Sequence, residues 1–172
     1  CKSSPRTCIR GDKIMIKTAQ ITLTINGEKH IEDVPVRMNL ADFIRTKIGL
    51  TGTHVGCEHG VCGACTLFLD GVTIRSCLTL AVQADGSEIT TIEGYETDKN
   101  ASDLIKNFHT RNALQCGYCT PGMLASSIEY IEQGNPADRE LVKQHISGNY
   151  CRCTGYQAIV DAICTTIEER QN

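Results

Sequence analysis

The stretch "HVGCEHGVCGACTLFLDGVTIRSC" occupies residues 54–77 and carries Cys57, Cys62, Cys65 and Cys77, spaced C-x4-C-x2-C-x11-C. Three thiols crowd one loop. The fourth lies beyond an Asp70-Gly71 turn, on the far side of what reads as a hairpin. Structural zinc usually takes two separated pairs of ligands, so the crowded triplet suits it poorly. The triplet has plant-type [2Fe–2S] spacing, completed by a distant cysteine. Gly56, Gly60 and Gly63 let the backbone curl close to an inorganic core and aim N–H groups at sulfur. A Rieske centre needs two histidines on one iron, a pattern that His54 and His59 do not supply. Both are expected to be loop residues flanking the site.

The surrounding chain agrees with a cofactor-stapled protein. Its 172 residues allow one domain or two small ones, and only 5% are aromatic, with no Trp. Chains short of bulky core residues lean on cross-links or metals. A net charge of −3 argues against nucleic-acid binding. No apolar run approaches the ~18 residues of a membrane span. Eleven cysteines require a use. The first twenty residues lack the apolar core of a secretory signal, which makes disulfides the weaker reading and metal or redox use the stronger. A cytoplasmic location is the expectation. The chain begins with Cys, and its first strand-like pattern follows Met15. Residues 1–15 are therefore expected to be a leader outside the folded unit, leaving Cys1 and Cys8 without a cofactor.

The first half reads as strands with one helix. "QITLTING" (20–27) alternates Ile21, Leu23 and Ile25 with polar residues and ends in an Asn-Gly turn. "EKHIEDV" is the return strand. "NLADFIRTKIGL" reads as a helix capped by Asn39 and stopped at Gly49. Strands before and after Asp70-Gly71, and another in "SEITTIEG" (87–94), complete a small mixed sheet of β-grasp type. A polar segment at 94–100 reads as a linker, and helical periodicity follows. The expected apolar positions are Leu104, Ile105 and Phe108, then Leu141, Val142 and Ile146, then Ile159, Val160, Ile163, Cys164 and Ile167. Pro121 opens one helix and Gly134 closes it. The fold class is thus α+β: a sheet domain at 16–94 and a helical domain of four short helices at 95–172.

The helical half holds a second set, Cys116, Cys119, Cys151 and Cys153, spaced C-x2-C-x31-C-x-C. Alone it is ambiguous between zinc and a redox dithiol. Beside a [2Fe–2S] loop it reads best as a second cluster site. "CGYCTPG" and "CRCTGY" each precede a helix, whose N-terminal N–H groups favour thiolates. Cys164 sits on the apolar stripe of the last helix and is expected to be core. His30, His109 and His145 have no motif around them and read as surface or helix-face residues. Arg152 lies between two thiols, where it either offsets their charge or faces a partner.

Together, "GCEHGVCGACTLFLDG…SC", "QCGYCTPGM" and "GNYCRCTGY" resemble the small iron–sulfur subunit of the xanthine oxidase family of molybdenum hydroxylases, over about residues 16–168. The resemblance implies a plant-ferredoxin-like domain followed by a four-helix bundle, each with one [2Fe–2S] cluster. Position by position it assigns Cys57, Cys62, Cys65 and Cys77 to the first, and Cys116, Cys119, Cys151 and Cys153 to the second. It sets Gln115 against the pterin of the molybdenum cofactor, with Cys153 near the same group. It implies an electron carrier between a large molybdopterin-binding subunit and a medium FAD-binding subunit, not catalytic alone. The first cysteine loop would then be the outer, flavin-facing end of the path, with the partner of its tip at 58–60 left open. A free-standing two-cluster ferredoxin is the competing reading.

Overall fold

The computed structural model describes residues 17–97 and 99–171. The expected leader, residues 1–15, lies outside the described residues.

The alternating segment forms β1 (Thr18–Ile25), paired antiparallel with β2 (Glu28–Pro35) in the register Thr18↔Pro35 to Ile25↔Glu28. The turn between them holds Asn26 and Gly27 at φ 51° and 83°. This is the left-handed pair that a two-residue hairpin needs, and Asn-Gly supplies it. α1 (Leu40–Phe43) starts where the Asn39 side chain accepts the Asp42 N–H at 2.7 Å. It then widens into a π-type turn over Ile44–Ile48 and ends at Gly49, φ 88°. The Gly49 and Leu50 N–H groups both reach the Ile44 carbonyl, at 3.0 and 3.1 Å. The helix expected over 39–49 is thus regular for one turn only. Just beyond α1, Arg45 reaches the Thr51 and Thr53 carbonyls at 2.6 and 2.8 Å, fixing the chain that enters the cysteine loop.

β3 (Thr66–Leu69) and β4 (Val72–Arg75) form the second hairpin, and β5 (Glu88–Thr90) completes a sheet of order β2-β1-β5-β3-β4. β5 runs parallel to β1 and antiparallel to β3. One face packs Leu23, Ile25, Leu67 and Ile89 against Leu40, Phe43 and Ile44 of α1 and its extension. Successive strand residues face opposite ways. Leu67 therefore enters this core while Phe68 enters the helical one. The strand at 87–94 is shorter than expected. A 3-10 turn, Ile92–Thr97, occupies part of the expected linker. Its Tyr95 is buried edge-on against Phe68, ring centroids 6.1 Å apart.

Four helices follow: α2 (Lys99–Thr110), α3 (Thr120–Glu132), α4 (Arg139–His145) and α5 (Gln157–Gln171). Their common core includes Leu104, Phe108, Met123, Ile128, Val142 and Ile163, with Cys164 buried among them as expected. Ile105 and Leu141, expected on the apolar faces, are exposed. Each lies about 100° round its helix from the neighbour that is buried, Leu104 or Val142. His145, at the end of α4, is half-buried. Its Nε2 meets the Ser126 carbonyl at 2.9 Å, and its ring lies 5.1 Å from that of Tyr130. Among the described residues no helix is long and apolar enough to cross a membrane.

Candidate metal centres

The first set is built by a loop and a hairpin. Cys65 immediately precedes β3, and Cys77 follows β4 by two residues. The β3–β4 register sets Ser76 opposite Cys65, whose carbonyl accepts both the Ser76 N–H at 3.3 Å and its Oγ–H at 2.7 Å. The hairpin thereby returns Cys77 to Cys65, as the Asp70-Gly71 turn predicts. Cys57 and Cys62 lie in the loop itself, where the Cys62 N–H donates to Cys57 Sγ at 3.4 Å. That N–H, together with the backbone at His59, lowers the Cys57 thiol to about 6. His59 folds back through Nδ1 onto the Cys57 carbonyl. Burial, then the Cys65 thiol, pushes Cys77 up to about 11.

The second set is gathered from two helix approaches. Cys119 stands at the start of α3, where its carbonyl accepts the Met123 N–H at 2.9 Å. Cys151 and Cys153 precede α5 by a turn through Gly155 and Tyr156, both at positive φ. The expected parallel between the two helix starts therefore holds closely only for α3. Cys116 and Cys153 are exposed, with their sulfurs 3.5 Å apart. Cys119 and Cys151 lie deeper. Burial, then Cys151, raises Cys119 to about 12. Burial also opposes ionisation of Cys151, but the Thr154 hydroxyl donates to its Sγ at 3.1 Å, and the net effect is a lowered value. The four thiols line a cavity of about 200 Å³ that Cys62 and Tyr118 also line.

The donor chemistry bears on what such sites can hold. All nine described cysteines are free. Among the described residues no three or more His, Cys, Asp or Glu converge as they would on a single metal ion. The Cys116 and Cys153 sulfurs approach to 3.5 Å, and the thiols within each set of four act on one another: Cys57 with Cys62, Cys65 and Cys57 with Cys77, and Cys151 and Cys116 with Cys119. Two thiolates on each of two irons is the arrangement of a Cys-ligated [2Fe–2S] cluster. The residues fit that group twice.

Gln115 stands on the exposed rim, its Nε2 donating to the Cys153 carbonyl at 3.1 Å. Four further residues of consequence are not ligands, and the sequence does not announce their partners. Arg45 anchors the loop entry. Tyr118 stacks on His54 with centroids 4.7 Å apart and donates its hydroxyl to the Val55 carbonyl at 2.8 Å, covering the join between the two sites. Arg75 reaches the Gly148 carbonyl at 2.9 Å, and Asn149 bonds to Gly63 at 3.0 Å. For the last, position alone is a signal: Asn149 lies two residues before Cys151 in "GNYCRC". Gly63 is required here. At φ 72°, a Cβ on it would sit 2.5 Å from the Gly148 oxygen.

Comparison with known proteins agrees with both halves. Residues 23–91 match the 2Fe-2S iron-sulfur cluster binding domain, and 91–164 match the [2Fe-2S] binding domain. The chain is 50% identical to the caffeine dehydrogenase subunit gamma of Pseudomonas sp. (strain CBB1), over 83% of this chain and 87% of that protein. It is 41% identical to a probable xanthine dehydrogenase subunit of Bacillus subtilis (strain 168), over 87% of this chain and 86% of that protein. A crystal structure of quinoline 2-oxidoreductase from Pseudomonas putida 86 superposes with a TM-score of 0.82 at 46% identity, covering 90% of this chain and 98% of that one. The α+β reading, a ferredoxin-like sheet followed by helices, stands. The chain belongs to the small iron–sulfur subunits of the xanthine oxidase family of molybdenum hydroxylases.

Proposed function

We propose that this chain is the electron-transfer subunit of a multi-subunit molybdenum hydroxylase or dehydrogenase. Two [2Fe–2S] clusters, when bound, supply one-electron steps between a molybdopterin centre on a large subunit and FAD on a medium subunit. Cys57, Cys62, Cys65 and Cys77 hold one; Cys116, Cys119, Cys151 and Cys153 hold the other. The observation that carries this is the gathering of four thiols in each set, with Cys62 of the first on the wall of the cavity that the second lines. The chain's own work is to hold thiolates. N–H groups at Cys57 and the Thr154 hydroxyl at Cys151 favour the ionised sulfurs.

Two surfaces suit partners. Gln115, with exposed Leu114 and the outer thiols Cys116 and Cys153, forms the edge assigned to the molybdenum subunit. The Gln115 amide donates and accepts, which suits a pterin edge. Exposed Val61 and Leu78, the latter close against Gly60, flank the tip at 58–60 assigned to the flavin subunit. Relatives named as subunits, and a structural neighbour named as an oxidoreductase, disfavour a free-standing ferredoxin. Relatives named for caffeine, xanthine and quinoline make N-heterocycles the first substrates to try, although the substrate pocket belongs to another chain.

The test is gentle purification of the chain with both partners, followed by anaerobic reduction with a heterocycle panel. Co-purification and substrate-dependent bleaching of both clusters are expected. Gln115→Ala should keep both clusters but weaken assembly and turnover. Unaltered assembly and turnover would contradict the pterin assignment. A chain that purifies alone and serves unrelated reductases would contradict the subunit reading.

A further inference from the structure

The segment from Cys151 to the start of α5 closes a ring of three hydrogen bonds on itself. The Cys151 N–H donates to the Tyr156 hydroxyl at 2.8 Å. The Tyr156 N–H donates to Thr154 Oγ1 at 3.2 Å. The Thr154 hydroxyl donates to Cys151 Sγ at 3.1 Å. A threonine hydroxyl carries a single hydrogen and accepts through its lone pairs. The Tyr156 N–H occupies the accepting side, and the hydrogen is left to point at the sulfur. Tyr156 itself is out of keeping with its place. Its carbonyl accepts the Val160 N–H at 2.9 Å, a helical bond at the start of α5, so Tyr156 stands at the N-cap. Ser, Thr, Asp, Asn and Gly lead at that position, usually with extended backbone. Tyr156 instead has φ 69°, a conformation that bulky side chains rarely adopt. Its half-buried ring packs against the helical core, and that packing, with the hydroxyl on Cys151, holds the turn. Backbone kept against local preference marks a place where the surroundings use it. The first set is built differently: Cys57 Sγ accepts from a backbone N–H, that of Cys62, at 3.4 Å.

We propose that the Thr154 hydroxyl sets the reduction potential of the helical-domain site, and that Tyr156 is the positioning residue that aims it. The inference rests on the proposed function, which places a [2Fe–2S] cluster on Cys151. On that reading the molybdenum subunit supplies one electron to the site, and the same electron leaves toward the ferredoxin-like site. The hydroxyl hydrogen stays on Thr154 throughout, and no covalent bond forms or breaks. One-electron reduction adds negative charge that the thiolate sulfurs share. A donor to an ionised sulfur stabilises the more negative state, so it raises the potential. Thr154 therefore makes the helical-domain site a readier electron acceptor than its thiolates alone would make it.

The experiment uses the assembled complex with Thr154→Val, Thr154→Ser and Tyr156→Phe. Valine keeps the branched shape and removes the hydroxyl. Serine keeps the hydroxyl. Phenylalanine keeps the ring and removes the acceptor for the Cys151 N–H. Iron and sulfide content are measured, and redox titration followed by EPR gives the midpoint potential of each site separately. All three variants should hold both clusters. In Thr154→Val the ratio of reduced to oxidised helical-domain site at a fixed ambient potential should fall about tenfold, which is about 59 mV downward for a one-electron couple. Tyr156→Phe should move it the same way by less. Thr154→Ser should be native, and the ferredoxin-like midpoint should be native in all three. A native helical-domain midpoint in Thr154→Val or in Tyr156→Phe would overturn the proposal. So would an equal shift at both sites, or a comparable shift in Thr154→Ser. Loss of the helical-domain cluster in Thr154→Val would overturn it too, because the hydroxyl would then be needed to hold iron and not to set its potential. Absence of iron from the native complex would instead overturn the functional reading on which the proposal rests.

Discussion

Replacing Gly122 by alanine sets two local effects against each other. Gly122 lies in the first turn of α3, and alanine is favoured over glycine in a helix by about 1 kcal/mol. Against that, the added Cβ would run into the Gly63 carbonyl oxygen and sit 3.0 Å from the Ala64 oxygen. Both are backbone atoms. The Gly63 carbonyl is also pinned by Thr66 Oγ1 at 2.6 Å and by Asn149 Nδ2 at 3.0 Å. Overpacking costs about 1–3 kcal/mol, and a pinned carbonyl places this case at the upper end. The balance is a destabilisation of about 2 kcal/mol. With a urea slope of about 2 kcal/mol per molar, the unfolding midpoint should fall by roughly 1 M. Urea transitions followed by helical circular dichroism and by visible cluster absorbance would measure it. Gly71→Ala is the comparison: its φ is 80°, but nothing lies within 4 Å of the new Cβ. It should cost only the left-handed backbone penalty of about 1–2 kcal/mol. A Gly122→Ala midpoint at or above the native one would refute the reasoning, because helix propensity would then outweigh the contact between α3 and the cysteine loop.

Other expectations follow from the site geometry. Cys116→Ser and Cys153→Ser should each remove one of two reduced-cluster EPR signals and halve the iron and sulfide, leaving the ferredoxin-like signal intact. Cys164→Ala should keep full iron and both signals, with a stability loss of about 1–2 kcal/mol for a buried side chain, read from the same urea transition. Tyr118→Ala removes the His54 stack and the Val55 hydrogen bond, so chelator-driven iron loss should accelerate. Tyr118→Phe keeps the ring and should lie between this variant and the native chain.

The residues make legible whatever depends on local chemistry. Asn26-Gly27 and Asp70-Gly71 demand left-handed turns, and these return β2 to β1 and Cys77 to Cys65. Asn39, Pro121 and Gly134 mark helix ends because capping and φ preferences are local. Cysteine spacing carries the site because the loop must wrap one compact object. Contacts between distant elements are not legible. Arg75, Asn149 and Tyr118 matter through partners tens of residues away, and no period or motif announces a partner. His145 reads as a helix-face residue, and so it is, but its contacts with Ser126 and Tyr130 on α3 are not announced by its own helix. The π-type turn at Ile44–Ile48 is also hidden, since its sequence has ordinary helical periodicity.

On the proposed function, this chain holds two [2Fe–2S] clusters on eight thiolates. Metal and acid-labile sulfide analysis, combined with EPR of the dithionite-reduced chain purified without air, tests it most directly. Equal iron and sulfide, enough for two such clusters per chain, and two distinguishable reduced-cluster signals are expected. Stoichiometric zinc in a colourless, EPR-silent protein would contradict it.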